Sequence, residues 1–232
     1  GSFTRVLAPI LGSPFTYAAP AELPGVESGE PTAPGQLRVN DMHAIVPPGG
    51  LSHETAVFGV VGAPISHSWS PRVHGMALKA AKLDAIYLAF EPEDFATFLA
   101  LADDECFRGF SVTAPFKADA HRAARSRDSA TEQAEAANTL LREADGWRAF
   151  NTDAPAIRDT LERAMRSHSE VPGRPVALGV ATGLVLGTGG AAAAACCALR
   201  EVGAKLIVAG RSEERASALA ARFGGEGVAW EA

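Results

Sequence analysis

Three cysteines in 232 residues exclude two kinds of framework at once. Cys106, Cys196 and Cys197 form an odd, badly spaced set with no CxxC pair, and two of them are adjacent in an alanine run. Neither a disulfide scaffold nor a zinc site is expected, and free thiols point to a reducing, cytoplasmic setting. Basic residues are in deficit: 21 Lys and Arg against 27 Asp and Glu give a formal charge of −6. That balance argues against a nucleic-acid backbone as partner, while leaving room for a local basic pocket. Long runs of large apolar residues are lacking too. Pro175 to Leu199 carries no charge, but it is built largely of Gly, Ala and Thr. A membrane span needs about 20 predominantly apolar residues of larger size, so none is expected. The start, "GSFTRVLAPI", shows no basic region followed by an apolar core, so no secretory leader is expected. It also lacks an initial Met, so the chain is expected to be a fragment or to carry added residues.

What is present reads as an ordinary globular chain, 47% hydrophobic and 21% charged. Residues 1–50 are rich in Pro and Gly and read as loop, apart from one short strand at "SPFTYA". Pro47 to Gly50 reads as a linker. From Ala56 the texture changes. "AVFGVVG", "AIYLAFE" and "FRGFSVTAP" are strands; "SPRVHGMALKAAKL", with Ser70 as N-cap, and "PEDFATFLALADD", starting at Pro92, are the helices between them. "KADAHRAARS" and "SATEQAEAA" read as helical. "NTLLREADGWRAFNTD" is a hairpin turning near Asp145-Gly146, and "APAIRDTLERAMRSH" is a longer helix. A second unit begins near Pro175 with strand, glycine turn, helix, strand, loop and helix, and "GVAWEA" starts a third strand. Strands alternating with helices define an α/β class with a largely parallel sheet.

The glycine turn carries the first chemistry. Gly187-Thr188-Gly189-Gly190-Ala191-Ala192 matches GxGxx[GA] directly after the strand "LVL" and opens a helix. Small residues there permit a tight turn and close approach of a pyrophosphate, and helix-start N–H groups supply the anion site. Gly187, Gly189, Gly190 and Ala191 are the expected cofactor contacts. About 20 residues on, an NAD site usually carries an acid for the ribose hydroxyls. Here stands "AGRSEER", with Arg211, Ser212 and Arg215. Guanidinium groups match a phosphate dianion, so the expected cofactor is NADP. The bland alternative is a solvated helix start with Ser212 as N-cap.

Lys117 follows the strand "FSV" in "FSVTAPFK". Ser66 and Ser68 lie on the loop after the first strand, Asn138 and Thr139 at the start of the hairpin, and Asn151, Thr152 and Asp153 before the long helix. Strand ends and helix starts converge on one crevice in open α/β sheets. The set of hydroxyls, amides, one lysine and one carboxylate suits a small polyhydroxylated acid. Each residue alone also has an ordinary reading, as loop, turn or N-cap.

Taken in order, "GAPISHSWSP", "VTAPFK", "AANTL", "NTD", "GTGGA" and "GRSEER" resemble the shikimate dehydrogenase family from about Val57 to Trp230. The resemblance implies an N-terminal α/β substrate-binding domain followed by an NADP-binding Rossmann domain, and NADP-dependent reduction of 3-dehydroshikimate to shikimate. It makes Lys117 and Asp153 the catalytic pair. It assigns Ser66, Ser68, Thr113, Lys117, Asn138 and Asp153 to the substrate, and Arg211, Ser212 and Arg215 to the 2′-phosphate. Three positions depart from the family pattern: Ser111 replaces an Asn, Ala154-Pro155-Ala156 replaces a run that usually includes a glycine, and Gly210 replaces an Asn. "TRVLAPILGSPFTYA" and "TAPGQ" resemble the end of a type I 3-dehydroquinate dehydratase, with Arg5, Thr32 and Gln36 at its substrate-side positions. The expected organisation is a dehydratase remnant over 1–46, a linker over 47–55, the shikimate-binding domain over 56–172 and a truncated Rossmann domain over 175–232. A truncated nicotinamide half implies little dehydrogenase activity in the isolated chain. Two rivals stand beside this reading: a quinate/shikimate dehydrogenase, and a ligand-sensing module without turnover.

Overall fold

In the computed structural model, which describes residues 2–20, 33, 36–167 and 178–230, the chain folds as two units, Gly1–Thr113 and Ala114–Ala232.

The first unit begins with two helices where loop was expected. Helix α1 (Ser2–Ile10) forms because Phe3, Val6, Leu7 and Ile10 fall on one face at helical spacing. Val6, Leu7 and Ile10 are buried, and Phe3 meets Phe90 edge-on at 5.1 Å. Pro9 lies in the last turn, where it has no N–H to give the Arg5 carbonyl. The Thr16 hydroxyl donates to that carbonyl instead, at 2.7 Å. Helix α2 (Val39–Ile45) follows. "SPFTYA" forms no strand; just after it, Ala19 makes an isolated parallel bridge with Arg38. Of the dehydratase-like positions, Arg5 lies in α1, Gln36 just ahead of α2, and Thr32 outside the described residues.

The strands follow the sequence closely. β1 (Ala56–Val61), β2 (Ala85–Phe90) and β3 (Phe107–Val112) are parallel, with β1 between the other two. Helices α3 (Ser70–Ala80) and α4 (Phe95–Leu101) make the connections. Nearly continuous burial along β2 fits a strand covered on both faces. Helix α4 starts later than expected from Pro92, because the Asp94 carboxylate accepts from the Thr97 N–H at 2.6 Å and fixes the first turn there. Phe90 is 1% exposed, and the rings of Phe98 and Phe110 lie 5.2 and 5.8 Å from it. Mid-strand Gly59 is what lets Phe90 sit there: a Cβ at 59 would overlap the ring and come within 2.7 Å of the Leu88 carbonyl oxygen.

The second unit holds six strands in two groups of three. α5 (Lys117–Ala123), β4 (Ser126–Arg127) and α6 (Ser129–Ala134) lead into the antiparallel hairpin of β5 (Thr139–Glu143) and β6 (Gly146–Phe150), and β4 pairs parallel with β6. α6 ends earlier than expected because Glu135 turns left-handed, at φ 50°. After α7 (Asp153–Ser167) and a 3-10 turn at Leu178–Val180 come β7 (Thr182–Leu186), α8 (Gly190–Glu201), β8 (Lys205–Gly210), α9 (Glu213–Arg222) and β9 (Glu226–Ala229). The last three strands form a parallel sheet in sequence order. The uncharged alanine run is the buried helix α8: Ala193, Ala194, Cys196, Cys197 and Ala198 are buried, and the helix shares one core with Ala136, Ala154, Val208 and Ala220. Among the described residues, no helix is long and apolar enough to cross a membrane.

Two glycines test this packing in opposite directions. Gly59→Ala is expected to destabilise the protein by about 1–3 kcal/mol through overpacking. Gly75, inside α3 with nothing within 4 Å of the place a methyl group would take, should gain about 0.4–1 kcal/mol as Ala. Urea denaturation of both variants reads the two signs.

Candidate active site

Lys117 does not sit on a strand end as such. It is the first residue of α5, after the Thr113–Phe116 connector. Its backbone carbonyl accepts from the Ala137 N–H at 2.8 Å, which ties the helix start to the segment ahead of β5. Its ammonium donates to Asp153 Oδ2 at 2.6 Å. The lysine side chain is 18% exposed and the carboxylate 31%, so both are largely withheld from water yet open to a ligand. A charge-assisted bond of this length is among the stronger polar contacts a protein makes.

Asp153 opens α7, where a carboxylate also meets the positive end of the helix dipole. Its second oxygen, Oδ1, accepts from Asn138 Nδ2 at 2.8 Å. The same Nδ2 donates to Thr152 Oγ1 at 2.8 Å, and Asn138 Oδ1 accepts from the Thr139 hydroxyl at 3.0 Å and the Thr152 N–H at 3.1 Å. The amide is therefore fully engaged and its orientation fixed. Asp153 was open to an ordinary reading as an N-cap, but Asn151 has that task. Buried to 1% exposure, Asn151 accepts from the N–H groups of Asp153 and Ala154 at 3.1 and 3.2 Å and donates to the Ala136 carbonyl at 2.8 Å. The carboxylate of Asp153 is thus free to face the lysine. Asn151 and Thr152 were legible only as members of "NTD"; their supporting roles emerge from the three-dimensional contacts.

The glycine turn adjoins this pair. Gly187 has φ +107°, a conformation that favours glycine, and its N–H donates to the Ala209 carbonyl at 2.8 Å. Gly189 precedes α8, Gly190 is the helix's first residue, and Ala191 is exposed in its first turn. Added Cβ atoms at Gly187 or Gly189 would meet nothing within 4 Å, so the outer side of the turn is open. Gly190 is different: its Cβ would lie 3.1 Å from both Cβ and Cδ of Lys117.

At the end of β8, Gly210 faces Thr188, whose methyl would lie 3.0 Å from an added Cβ. A side chain at 210 would need Thr188 to give by a few tenths of an ångström. Arg211 and Arg215 are exposed, and among the described residues neither makes an ion pair. Ser212 does cap α9, accepting from the Arg215 N–H at 3.3 Å.

The remaining predicted substrate residues belong to the first unit. Ser66 is exposed on the loop after β1. Ser70 is not the N-cap of α3 but its first residue; the N-cap position is Trp69, which gives no side-chain cap, and the Ser70 N–H donates to Ser68 Oγ at 3.2 Å. The Thr113 N–H donates to the Val61 carbonyl at 2.9 Å, placing Thr113 at the C-terminal end of β3 beside the end of β1. Ser111 accepts a 2.8 Å hydrogen bond from the Tyr87 hydroxyl. Burial pushes the Tyr87 phenol above its ordinary value, against a smaller downward pull from that bond, and His74 stacks on its ring at 4.4 Å.

Residues 60–140 match the family model of the shikimate dehydrogenase substrate binding domain. The chain is 32% identical, over 98% of its length, to a bifunctional 3-dehydroquinate dehydratase/shikimate dehydrogenase of Arabidopsis thaliana, of which it covers 38%. It is 41% identical over 174 residues to the shikimate dehydrogenase (NADP(+)) of Anaeromyxobacter sp. strain K, covering 73% of this chain and 58% of the relative. The crystal structure of Thermus thermophilus shikimate 5-dehydrogenase in complex with NADP(H) and shikimate superimposes with a TM-score of 0.61 at 32% identity, over 76% of this chain and 63% of that one. The Aquifex aeolicus enzyme gives 0.63 at 30% identity, over 78% and 64%. The chain thus spans between about a third and two thirds of the length of these relatives, and over that span it is similar to shikimate dehydrogenases, with residues 60–140 matching their substrate binding domain.

The geometry separates support from contact. Asn151→Ala is expected to lower stability by about 1–3 kcal/mol, since it leaves buried backbone groups without partners. Thr152→Val removes one exposed hydroxyl and should cost well under that, within about 0.5 kcal/mol. Chemical denaturation of the two variants measures the difference.

Proposed function

We propose that this chain carries the substrate-binding and adenosine-side parts of an NADP-dependent shikimate dehydrogenase, which interconverts 3-dehydroshikimate and shikimate. The observation that carries this reading is the Lys117–Asp153 pair, fixed by Asn138 and packed against the glycine turn. A pure ligand sensor has no need of a positioned proton-transfer pair.

The residues fit a phosphorylated dinucleotide. Gly187 and Gly189 leave the turn open, α8 presents its N-terminal amides there, and the two exposed guanidiniums of Arg211 and Arg215 suit a 2′-phosphate. Ala191 and Ser212 complete the set. When bound, the cofactor supplies the hydride for the substrate's ring carbon. Lys117 transfers the proton to or from the substrate oxygen, and Asp153 holds the ammonium in place and balances its charge. Asn138, with its orientation locked, presents one face of Asp153 to the substrate. Ser66, Ser68 and Thr113 hold the carboxylate and hydroxyls; Ser68 keeps its hydroxyl proton for that purpose, because accepting from the Ser70 N–H uses only a lone pair.

The functional segments in this reading are 56–172 for substrate and 175–232 for NADP, with 47–55 as linker. Residues 1–46 are read as the tail of a type I 3-dehydroquinate dehydratase. The alignment with the Arabidopsis bifunctional protein over 98% of this chain supports that. The packing of α1 on Phe90 gives the segment a structural part in the first unit.

The test is NADPH formation from NADP⁺ and shikimate, with quinate as competitor, in a protein containing this chain. No shikimate-dependent reduction, or faster turnover of quinate, would overturn the reading. Lys117→Ala is expected to lower turnover by about 10²–10⁴-fold, the range of general acid–base groups; near-normal turnover removes Lys117 from the chemistry. Arg211→Asp is expected to shift preference toward NAD, because a carboxylate repels a 2′-phosphate and accepts from a free ribose hydroxyl. An unmodified protein that already prefers NAD contradicts the assignment of this loop.

A further inference from the structure

The glycines of a GTGG turn are ordinarily explained by the turn itself and by the ligand, whose phosphates must approach the backbone. The contacts here point elsewhere. At Gly187 and Gly189 an added Cβ meets nothing within 4 Å. At Gly190 it would stand 3.1 Å from Lys117 Cβ, 3.1 Å from Lys117 Cδ and 3.3 Å from Ala136 Cβ. Of these three glycines, only Gly190 is pressed by protein, and what presses it is the stem of the lysine.

Lys117 is held on three sides. Its carbonyl is tied to the Ala137 N–H, its ammonium to Asp153, and its Cβ and Cδ border the place a Gly190 side chain would take. The Cβ of a residue cannot move by changing rotamer, since the backbone of α5 fixes it. A methyl at 190 therefore requires the start of α8 to shift by a few tenths of an ångström from the fixed Lys117 and Ala136 Cβ atoms, and the lysine stem beyond Cβ to give by rotation about its χ angles. Rotation swings Nζ away from an oxygen it now meets at 2.6 Å. We propose that Gly190 is a positioning residue for Lys117: its missing side chain is the space in which the lysine stands to reach Asp153, and it couples the glycine turn to the proton-transfer pair. The functional weight of this coupling rests on the dehydrogenase reading above, but the geometry does not, and neither measurement that tests it depends on turnover.

The first measurement is the ¹H–¹⁵N signal of the Lys117 ammonium, identified by its loss in Lys117→Ala. A carboxylate-bound, largely shielded ammonium exchanges its protons slowly enough to be seen. Gly190→Ala should abolish or strongly shift that signal, whereas Gly189→Ala, which fills open space, should leave it in place. The second measurement is a double-mutant cycle of melting temperatures with Lys117→Gly, which removes both stem contacts. The drop caused by Gly190→Ala in the unmodified protein should shrink by at least half in the Lys117→Gly background. If Gly190→Ala alone does not fold, recovery of folding in the double variant supports the proposal, and failure of the double variant to fold overturns it. An unchanged ammonium signal in a folded Gly190→Ala protein, or equal drops in the two backgrounds, also overturns it. Absence of shikimate oxidation with both measurements as expected would reject the dehydrogenase reading and leave the positioning role standing.

Discussion

An ammonium and a carboxylate 2.6 Å apart, both largely removed from water, persist only when every atom around them is already placed. Desolvation works against such a pair, and free rotation of a four-carbon stem would usually disperse it. Here the stem has little freedom. The start of α5 is pinned by Ala137, the glycine at 190 gives the stem its place, and Asp153 stands at the head of a helix that another residue caps. The rest of the second unit can be understood as the mount for this contact. Ala136 shows the economy of the arrangement: its carbonyl receives Asn151, its methyl lies beside Gly190, and it is part of the alanine-rich core around α8. An alanine-rich helix is what allows elements to approach closely enough for all three.

The departures from the family pattern become intelligible as packing. At Gly210, where Asn is usual, an added Cβ would stand 3.0 Å from the Thr188 methyl of the adjacent turn, a tight contact. Ser111 stands where Asn is usual, and the Tyr87 hydroxyl reaches it at 2.8 Å. A serine accepting from a tyrosine still has its own proton to donate, so polarity is retained at the end of β3 with a smaller side chain. Ala154, in the third departure, is fully buried in the core shared with α8. These are local exchanges of shape, and none removes a member of the Lys117–Asp153–Asn138 group.

Much of this was legible in the sequence because the signals were local. Buried strands announced themselves as short β-branched and aromatic runs. The hairpin was marked by Asp145-Gly146, and the glycine turn by its place between strand and helix. The N-terminal helices were missed because Pro and Gly dominate the composition of residues 1–50, and composition masked the spacing of Phe3, Val6, Leu7 and Ile10. Pro9 reads as a breaker until Thr16 is seen to satisfy the carbonyl it strands. Ser70 reads as an N-cap before Pro71, but the helix starts one residue earlier, with Ser70 as its first residue and Trp69 at the N-cap position. The order of the motifs singled out candidate residues. What could not be read was which polar residue supports and which is presented, because that depends on contacts between segments far apart in the chain.

Ser212 shows why the structural and functional readings of a residue need not compete. As the N-cap of α9 it accepts from the Arg215 N–H, which uses one lone pair of its hydroxyl oxygen. The hydroxyl proton is left over, and so are the other amides at the start of α9. Capping also fixes where the helix begins, and that sets Arg215 one turn in and Arg211 just before the cap, both exposed and both without an ion pair among the described residues. An anion seated there would receive a hydroxyl, helix-start amides and two guanidiniums from one short segment. The cap thus sets where the two cations stand, and Ser212 in its ordinary structural role still leaves a hydroxyl proton, amides and cations that suit a phosphate at this end of β8.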